Sequence, residues 1–487
     1  MPIRALSTPE KSGHQWFVHP EDFHALYLKY KEYHQLREAD GEAALSLQSR
    51  LKKWRIWRAT RTQSPPAMTA AVQKYLVEAR EWNFDIFRLS DMTEKSPLYF
   101  VGLELFQSFG LFADLTIDVS CFQRFLHRVE SGYSKNIPYH NSMHGADVCQ
   151  ACAHMLDALK TAFPTRSRFP LGLSSLEVTA LFLSALAHDL GHPGTNNAFE
   201  IATSSSLALC YNDRSVLESY HVSECFSILK NPSCDIFRGI LKPAEWKGLR
   251  YLMIELVLAT DLEHHRKFIQ GFENACKKIA RDISARKSTM QISTSVTSNE
   301  AKEKQGRMDD ATTMLLPAAT KEPPPGPKKY VPTTFDVMRE LSGTAEGRML
   351  IMKFIIKCSD ISHPARTFPI HKRWSELIQE EFFRQGDKEA KLGLPVSRGM
   401  DRHSADNKSV AKGNVGFIQY VVRPLYEVME KRMGIHQFSR NIETNKKYWE
   451  KASARSRSPS PRNSPGRKVL YGKPSLSARS SEPRSQK

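Results

Sequence analysis

His188 and Asp189 sit side by side at the end of an otherwise almost wholly apolar run, LFLSALAHDLGHPG. An unpaired charge buried there is costly, so such side chains are normally paired or bound to a metal ion. Upstream, PYHNSMHGADV supplies His140 and His144; downstream, KCSDISHPAR supplies Asp360 and His363. Imidazole and carboxylate are both good ligands for divalent cations. On a helix, residues four apart share a face, which would pair His140 with His144 and His188 with His192. If the three segments meet, two imidazoles and two carboxylates can hold a metal, with imidazoles to spare. Closed structural zinc sites favour cysteine, so this set points to an open site for Zn, Mn or Mg with water on the metal. Such a metal lowers the pKa of its water from about 15.7 to about 7, which makes a nucleophile at neutral pH. Two metals about 3.5–4 Å apart would clamp a phosphate during in-line displacement, with Asp189 as the bridging carboxylate. A spare histidine could then act as general acid. The competing reading of any single histidine is a hydrogen-bonded core residue; His154, His264 and His265 have no such company and read as surface or satisfied residues.

These residues need helices to position them. From about 71 to 450 the chain shows repeated helical periodicity, as in ADVCQACAHMLDALKTAF, LEVTALFLSALAHDL and RMLIMKFIIKCSD. There is no series of alternating strands, so the expected fold class is all-α. Apolar content all round the segments near 180 and 355 predicts deep burial. Residues 1–70 read as a polar N-terminal helical extension. Within it Leu47, Leu51 and Trp54 recur at helical spacing among basic residues. The stretch 47–58 therefore fits either a calmodulin- or membrane-binding helix or a helix packed on the main domain. Residues 281–330 are polar and then Pro-rich, the composition of a flexible insertion. Residues 451–487 form a Ser/Arg/Pro-rich tail in which Ser458, Ser460 and Ser464 each precede proline.

Composition excludes several classes. The net charge is +18, but the tail carries ten Lys/Arg against one acidic residue, half of that excess. No specific nucleic-acid surface is expected from a folded face. The longest apolar run is too short to span a bilayer. The N-terminal stretch lacks a signal peptide's apolar core, and Pro2 stands where myristoylation needs glycine. The eight cysteines are scattered, which suits a reducing, cytoplasmic location. Cys149 and Cys152 form a lone CxxC on an amphipathic helix and read as a core pair rather than a zinc or redox site.

The motifs YHNSMHGADVCQ, HDLGHPGTNNAF, YNDRSVLESYH, LATD, CSDISHPA, EEFFRQGDKEAKLGLP and VGFIQYVVRPL occur in one order over about residues 85–435. In these the chain resembles a class I 3′,5′-cyclic nucleotide phosphodiesterase of the HD superfamily. DISHPA and EEFFRQGDKEAKLGLP are most similar to the calcium/calmodulin-stimulated branch. The resemblance implies a compact multi-helix catalytic domain that converts cAMP or cGMP to the 5′-monophosphate, using a metal-activated hydroxide. By it, His144, His188, Asp189 and Asp360 would hold a tight metal, expected to be zinc. Asp189 would also touch a second, expected to be magnesium or manganese. His140 would protonate the leaving O3′, with Glu218 orienting its ring. His192 and Thr260 would hydrogen-bond waters around the metals, and Tyr139 would line the phosphate end. The base would lie between Ile378 and Phe417.

One position departs from the family. A glutamine that would bind the purine edge, three residues before the clamping Phe, is Asn414 here. Losing one methylene shortens the reach by about 1.2–1.5 Å, enough to spoil a hydrogen bond. Gln419 lies about 140° further round an α-helix and does not substitute. The choice between cAMP and cGMP therefore stays open. So do two other functions: an HD-type phosphohydrolase acting on other nucleotides, and a catalytically weak cyclic-nucleotide binder.

Overall fold

Polar side chains mark where the site's helices begin. Asn141 accepts from the Met143 amide, Ser174 and Glu177 form a reciprocal capping box, and Thr344 accepts from the Gly347 amide. The computed structural model describes residues 67–306 and 330–454. Helices α1 to α5 (Ala70–Leu76, Ile86–Met92, Pro97–Ser108, Leu111–Leu115, Val119–Gly132) lead into α6 (Ser142–Ala162) and α7 (Ser175–Ala187). Short α8 (Asn197–Ala202) and α9 (Ser206–Tyr211) precede α10 (Val216–Leu229), α11 (Pro243–Leu258) and α12 (His265–Gly306). Then come α13 (Thr334–Ser342), α14 (Ala345–Asp360), α15 (Phe368–Lys391), α16 (Asn407–Phe417), α17 (Arg423–Met433) and α18 (Ser439–Ala454). Among the described residues no strand occurs, as the periodicity predicts.

Helix α7 is the axis of the core. All ten residues from Val178 to Ala187 are buried, which matches its lack of a polar face. It packs against α6 and α11, while α6 also meets α3 and α14. Phe106, Phe112, Phe122 and Phe182 make an aromatic cluster around it, with ring centroids 4.1–6.3 Å apart. The α6–α7 crossing is close because of Gly145. A Cβ there would stand 2.9 Å from Tyr133 Oη and 3.0 Å from the Leu186 carbonyl. Cys149 and Cys152 face this core fully buried, and burial pushes the Cys152 thiol up to about 12. All eight cysteines are free thiols.

A second tie joins the start of the described chain to its later half. The Trp82 indole donates to the Ala365 carbonyl at 2.8 Å. The fully buried Arg366 guanidinium lies 4.1 Å over the Trp82 ring and donates to the Trp82 carbonyl. It also donates to Asp147 Oδ1 (3.0 Å) and Gln150 Oε1 (2.7 Å) on α6. Only its Nε is left without a hydrogen-bond partner, and a buried cation is tolerable only when it is paired and hydrogen-bonded in this way.

Helix α12 continues without a break past residue 281, where the polar composition predicts a flexible insertion. No Gly or Pro interrupts residues 272–305, so the helix can propagate cheaply from its packed first half. The stretch 47–58, residues 307–329 and the tail serines lie outside the described residues. No described helix is long and apolar enough to cross a membrane.

Candidate metal centre and general acid

Three helix ends converge at the site. His144 sits in the first turn of α6, His188 caps the C-terminus of α7, and Asp360 is the last residue of α14. Asp189 follows His188 in a turn that Gly191 (φ +79°) sharpens. The i, i+4 pairs predicted to share a helix face instead straddle helix ends. His140 precedes the Asn141 cap, and His192 lies beyond the end of α7. The outcome is still convergence: the His140 and His144 ring centroids lie 5.7 Å apart, and the turn after α7 brings His192 beside Asp189.

Nε2 of His144 is 3.1 Å from Asp360 Oδ1, 3.4 Å from Asp189 Oδ2 and 3.3 Å from His188 Nε2. Nε2 of His188 is 3.1 Å from Asp189 Oδ2 and 3.3 Å from Asp360 Oδ1. Ligands held about 2.1 Å from a common ion are separated by about 3.0 Å in cis octahedral geometry and about 3.4 Å in tetrahedral geometry. The measured edges fall in that interval. Moreover, Nδ1 of His188 donates to the Ala185 carbonyl at 2.8 Å, so in the neutral ring Nε2 offers a lone pair. Asp189 Oδ2 is buried without a hydrogen-bond partner. Lone pairs thus converge on one point that calls for positive charge, and the residues present fit a divalent cation. Burial works to lower the His188 pKa, but the Asp189 carboxylate outweighs it and lifts it well above the usual range.

A second group stands beside the first. Asp189, His192 and His221 have ligand atoms within 4.8 Å of one another. His221, fully buried on α10, donates from Nδ1 to the Leu190 carbonyl at 2.8 Å. Its Nε2 then faces Asp189 Oδ1 at 3.7 Å, acceptor toward acceptor, which leaves room for a cation or water between. Burial drives its pKa down to about 4. Sequence reasoning missed His221, although it lies in the motif YNDRSVLESYH. The ring of His192 accepts from the Gly194 amide at Nδ1, which leaves Nε2–H as a donor.

His140 stacks on His192, with ring centroids 4.2 Å apart, and its side chain keeps 25% exposure. Its partner is Glu381 on α15, not the expected Glu218. Oε1 of Glu381 lies 2.6 Å from His140 Nδ1, and Oε2 accepts from the Tyr139 and His140 amides at 2.9 and 3.1 Å. Glu218 instead accepts from Asn197 Nδ2 at 3.0 Å, and burial followed by the Asp261 charge raises it to about 7. Burial acts to lower the His140 pKa, but Glu381 and then Asp189 overcome it and raise it to about 9. Burial acts to raise the Glu381 pKa, but His140 overcomes it and holds the carboxyl at about 2.

The remaining expected residues surround this centre. The Tyr139 ring is buried 4.7 Å from the His144 ring and 5.1 Å from Trp374. Thr260, buried after α11, donates to the Val257 carbonyl at 2.7 Å. Its loop is fixed by Lys357 Nζ, a buried lysine on α14 that donates to the Ala259 and Asp261 carbonyls at 2.8 and 2.9 Å. Ile378 is half-buried on α15, one turn before Glu381. Phe417, half-buried at the end of α16, lies nearly parallel to His363 at 5.9 Å. Asn414 Nδ2 donates to Val410 O of its own helix at 3.1 Å. Directly after Phe417 the chain takes a π turn (Ile418–Val422), so the α-helical angle predicted for Gln419 does not apply. A cleft of about 180 Å³ opens between α15, α16 and α18, lined by Ser375, Gln379, Phe383, Val410, Asn414 and Trp449 among others. None of the four residues His144, His188, Asp189 and Asp360 lines it.

Known proteins share this arrangement of sequence and fold. Residues 139–443 match the family described as 3′5′-cyclic nucleotide phosphodiesterase. The chain is 29% identical over 388 residues to mouse high affinity cAMP-specific and IBMX-insensitive 3′,5′-cyclic phosphodiesterase 8A, covering 79% of this chain and 40% of that protein. It is 32% identical over 354 residues to the Caenorhabditis elegans probable 3′,5′-cyclic phosphodiesterase pde-1, covering 72% and 42%. The chain thus spans about two fifths of these curated relatives. Among solved structures, the phosphodiesterase domain of the RhoPDE fusion protein from the choanoflagellate Salpingoeca rosetta superposes with a TM-score of 0.58 at 26% identity, covering 78% of this chain and 98% of that one. The matched stretch takes in His140, all four converging ligands and Glu381, and on that ground the chain belongs to the 3′,5′-cyclic nucleotide phosphodiesterase family.

Proposed function

We propose that the chain hydrolyses 3′,5′-cyclic nucleotides, cAMP or cGMP, to nucleoside 5′-monophosphates. The observation that carries this reading is the placing of His140, paired with Glu381, against the cluster of His144, His188, Asp189 and Asp360. Zinc would be held by those four residues, and magnesium or manganese beside Asp189, with His192 and His221 close by. Bound there, two divalent cations would supply an ionised water and offset charge on the phosphate.

The chain's own groups do the rest. Glu381 takes the His140 Nδ1–H and leaves Nε2–H free to donate. A ring with its pKa lifted to about 9 carries that proton at neutral pH, so His140 can give it to the departing O3′. The two amide bonds to Glu381 Oε2 fix the main chain behind the ring, which limits its swing. Tyr139 lines the phosphate end, and Ile378 and Phe417 flank the base. Eight free thiols suit a reducing, cytoplasmic setting.

The test is purified chain with each cyclic nucleotide and graded Mn or Mg, with products separated by chromatography. 5′-AMP or 5′-GMP is the expected product. Release of phosphate or triphosphate from other nucleotides would favour a different HD-type reaction. Tight binding with zero turnover would favour a silent binder.

A further inference from the structure

Lys353 and Lys357 stand one turn apart on the same face of α14 and grip α11 at matching steps. Lys353 pairs with Glu255. One turn further along both helices, Lys357 Nζ donates to the Ala259 and Asp261 carbonyls at 2.8 and 2.9 Å. Ala259 ends α11, where carbonyls lack partners within the helix and the dipole favours a cation. Lys357 is 1% exposed. Burial lowers its pKa, against the pull of Asp360 and then Asp261. Even a neutral amine has two N–H bonds to give, so the grip does not depend on the charge.

The grip is passed on to α10. Asp261 is buried with both oxygens taken: Oδ1 accepts from the Glu263 amide at 2.8 Å and Oδ2 from the Ser215 hydroxyl at 2.7 Å. Ser215 precedes α10 in a left-handed conformation (φ +41°) that residues with a side chain rarely adopt. The Asp261 contact therefore holds strained backbone at the start of the helix. That helix carries Glu218 and His221, and His221 Nε2 faces Asp189 Oδ1 at 3.7 Å. On α14, one turn beyond Lys357, stands Asp360. One lysine thus lies on the helix that supplies a ligand to the first cation, and it braces the loop that sets the helix beside the second.

We propose that Lys357 is a positioning residue for the second divalent cation: through the 259–261 loop it holds Thr260, and through Asp261 and Ser215 it holds α10 so that His221 keeps its place against Asp189. The proposal rests on the phosphodiesterase reading above and deepens it, since it names a side chain that ligates neither ion yet sets the affinity for one. Without the brace the loop and the start of α10 gain freedom, which the second cation has to remove on binding. The first cation is spared. His144, His188 and Asp360 come from α6, α7 and α14, and their hydrogen bonds do not involve that loop.

The experiment titrates Mn²⁺ into the purified chain loaded with one equivalent of zinc, reading free Mn²⁺ by electron paramagnetic resonance. Lys357→Met keeps the length but gives no N–H. It should raise the Mn²⁺ Kd about tenfold, the lower end of the loss when an outer partner of a metal ligand is removed. Bound zinc by elemental analysis should not change, and turnover of cyclic nucleotide should return as Mn²⁺ is raised. Ser215→Ala cuts the same line elsewhere and should also raise the Kd, and the double variant should lose no more than the worse single one. Lys353→Met is the control: it breaks the Glu255 pair without touching the loop, so Tm should fall and the Mn²⁺ Kd should stay. A Kd unmoved in Lys357→Met or in Ser215→Ala, additive losses in the double variant, or zinc lost along with Mn²⁺ overturns the proposal. An equal shift in Lys353→Met does the same, because general loosening would then be the cause. A wild type that binds Mn²⁺ but turns over neither cAMP nor cGMP overturns the phosphodiesterase reading instead.

Discussion

Glu381 holds His140 at two levels: Oε1 meets the ring nitrogen Nδ1 at 2.6 Å, while Oε2 receives the His140 amide at 3.1 Å. One carboxylate therefore sets both the charge of the ring and the path of the chain that carries it. The pair is separated by 241 residues, so α15 must dock correctly before the acid exists.

Removing the acid should spare the metal. His140→Ala is expected to lower kcat by about 10²–10⁴-fold, the usual contribution of a positioned general acid. Metal content by elemental analysis should be unchanged, because no edge of the four-ligand cluster involves His140.

The alkaline limb of the pH profile should follow Glu381. His140 works as an acid only while protonated, so activity should persist at neutral pH and fall as pH rises through about 9. Glu381→Gln removes the largest raising influence and leaves burial, which lowers. The limb should move toward lower pH in a plot of kcat/KM, with more activity lost at pH 8 than at pH 6. A limb that does not move would show that Glu381 does not tune the acid.

Asp360→Ala should release metal instead. It deletes an oxygen 3.1 Å from His144 Nε2 and 3.3 Å from His188 Nε2. Affinity should drop by at least about 100-fold, the upper end of the loss seen when only outer partners of a ligand are removed. Chelation of the wild type should also lower Tm, since an ion at a thousand times its Kd stabilises by about 4 kcal/mol. Without the ion, only a proton on the His188 ring is left to offset the Asp189 and Asp360 carboxylates.

Gly145→Val should destabilise the α6–α7 crossing. The added carbon meets the Leu186 carbonyl at 3.0 Å, and a backbone atom in the central helix cannot step aside. A loss of about 1–3 kcal/mol is expected from such overpacking, read as a lower midpoint in denaturant.

Asn414→Gln should tighten nucleotide binding. The longer side chain need not fold back onto Val410 O, where the Asn amide donates at 3.1 Å. One regained hydrogen bond is about 1 kcal/mol, roughly fivefold in Kd. Equal Kd values by titration would rule out a shortened reach as the limit on affinity.

The metal cluster was legible because ionisable groups beside apolar runs are costly, and His188, Asp189 and Asp360 each end such a run. The all-α fold was legible from the same runs. Glu381 was not, because a glutamate on a polar helix looks like any solvated charge until α15 is placed. His221 was hidden for the opposite reason, as one histidine on a buried face. The helix-face argument for His188 and His192 reached the right neighbours by the wrong route: the helix ends at its His188 cap, and the turn that holds Gly191 does the gathering.

The stack of Arg366 on Trp82 also sets how far the chain can be trimmed. A fragment that starts beyond residue 82 would strand a guanidinium in the interior next to Asp147, stripped of its aromatic cover and of one carbonyl. The unit that folds as one piece thus extends upstream of the first family motif, and any shortened expression product that omits this tryptophan should come out insoluble.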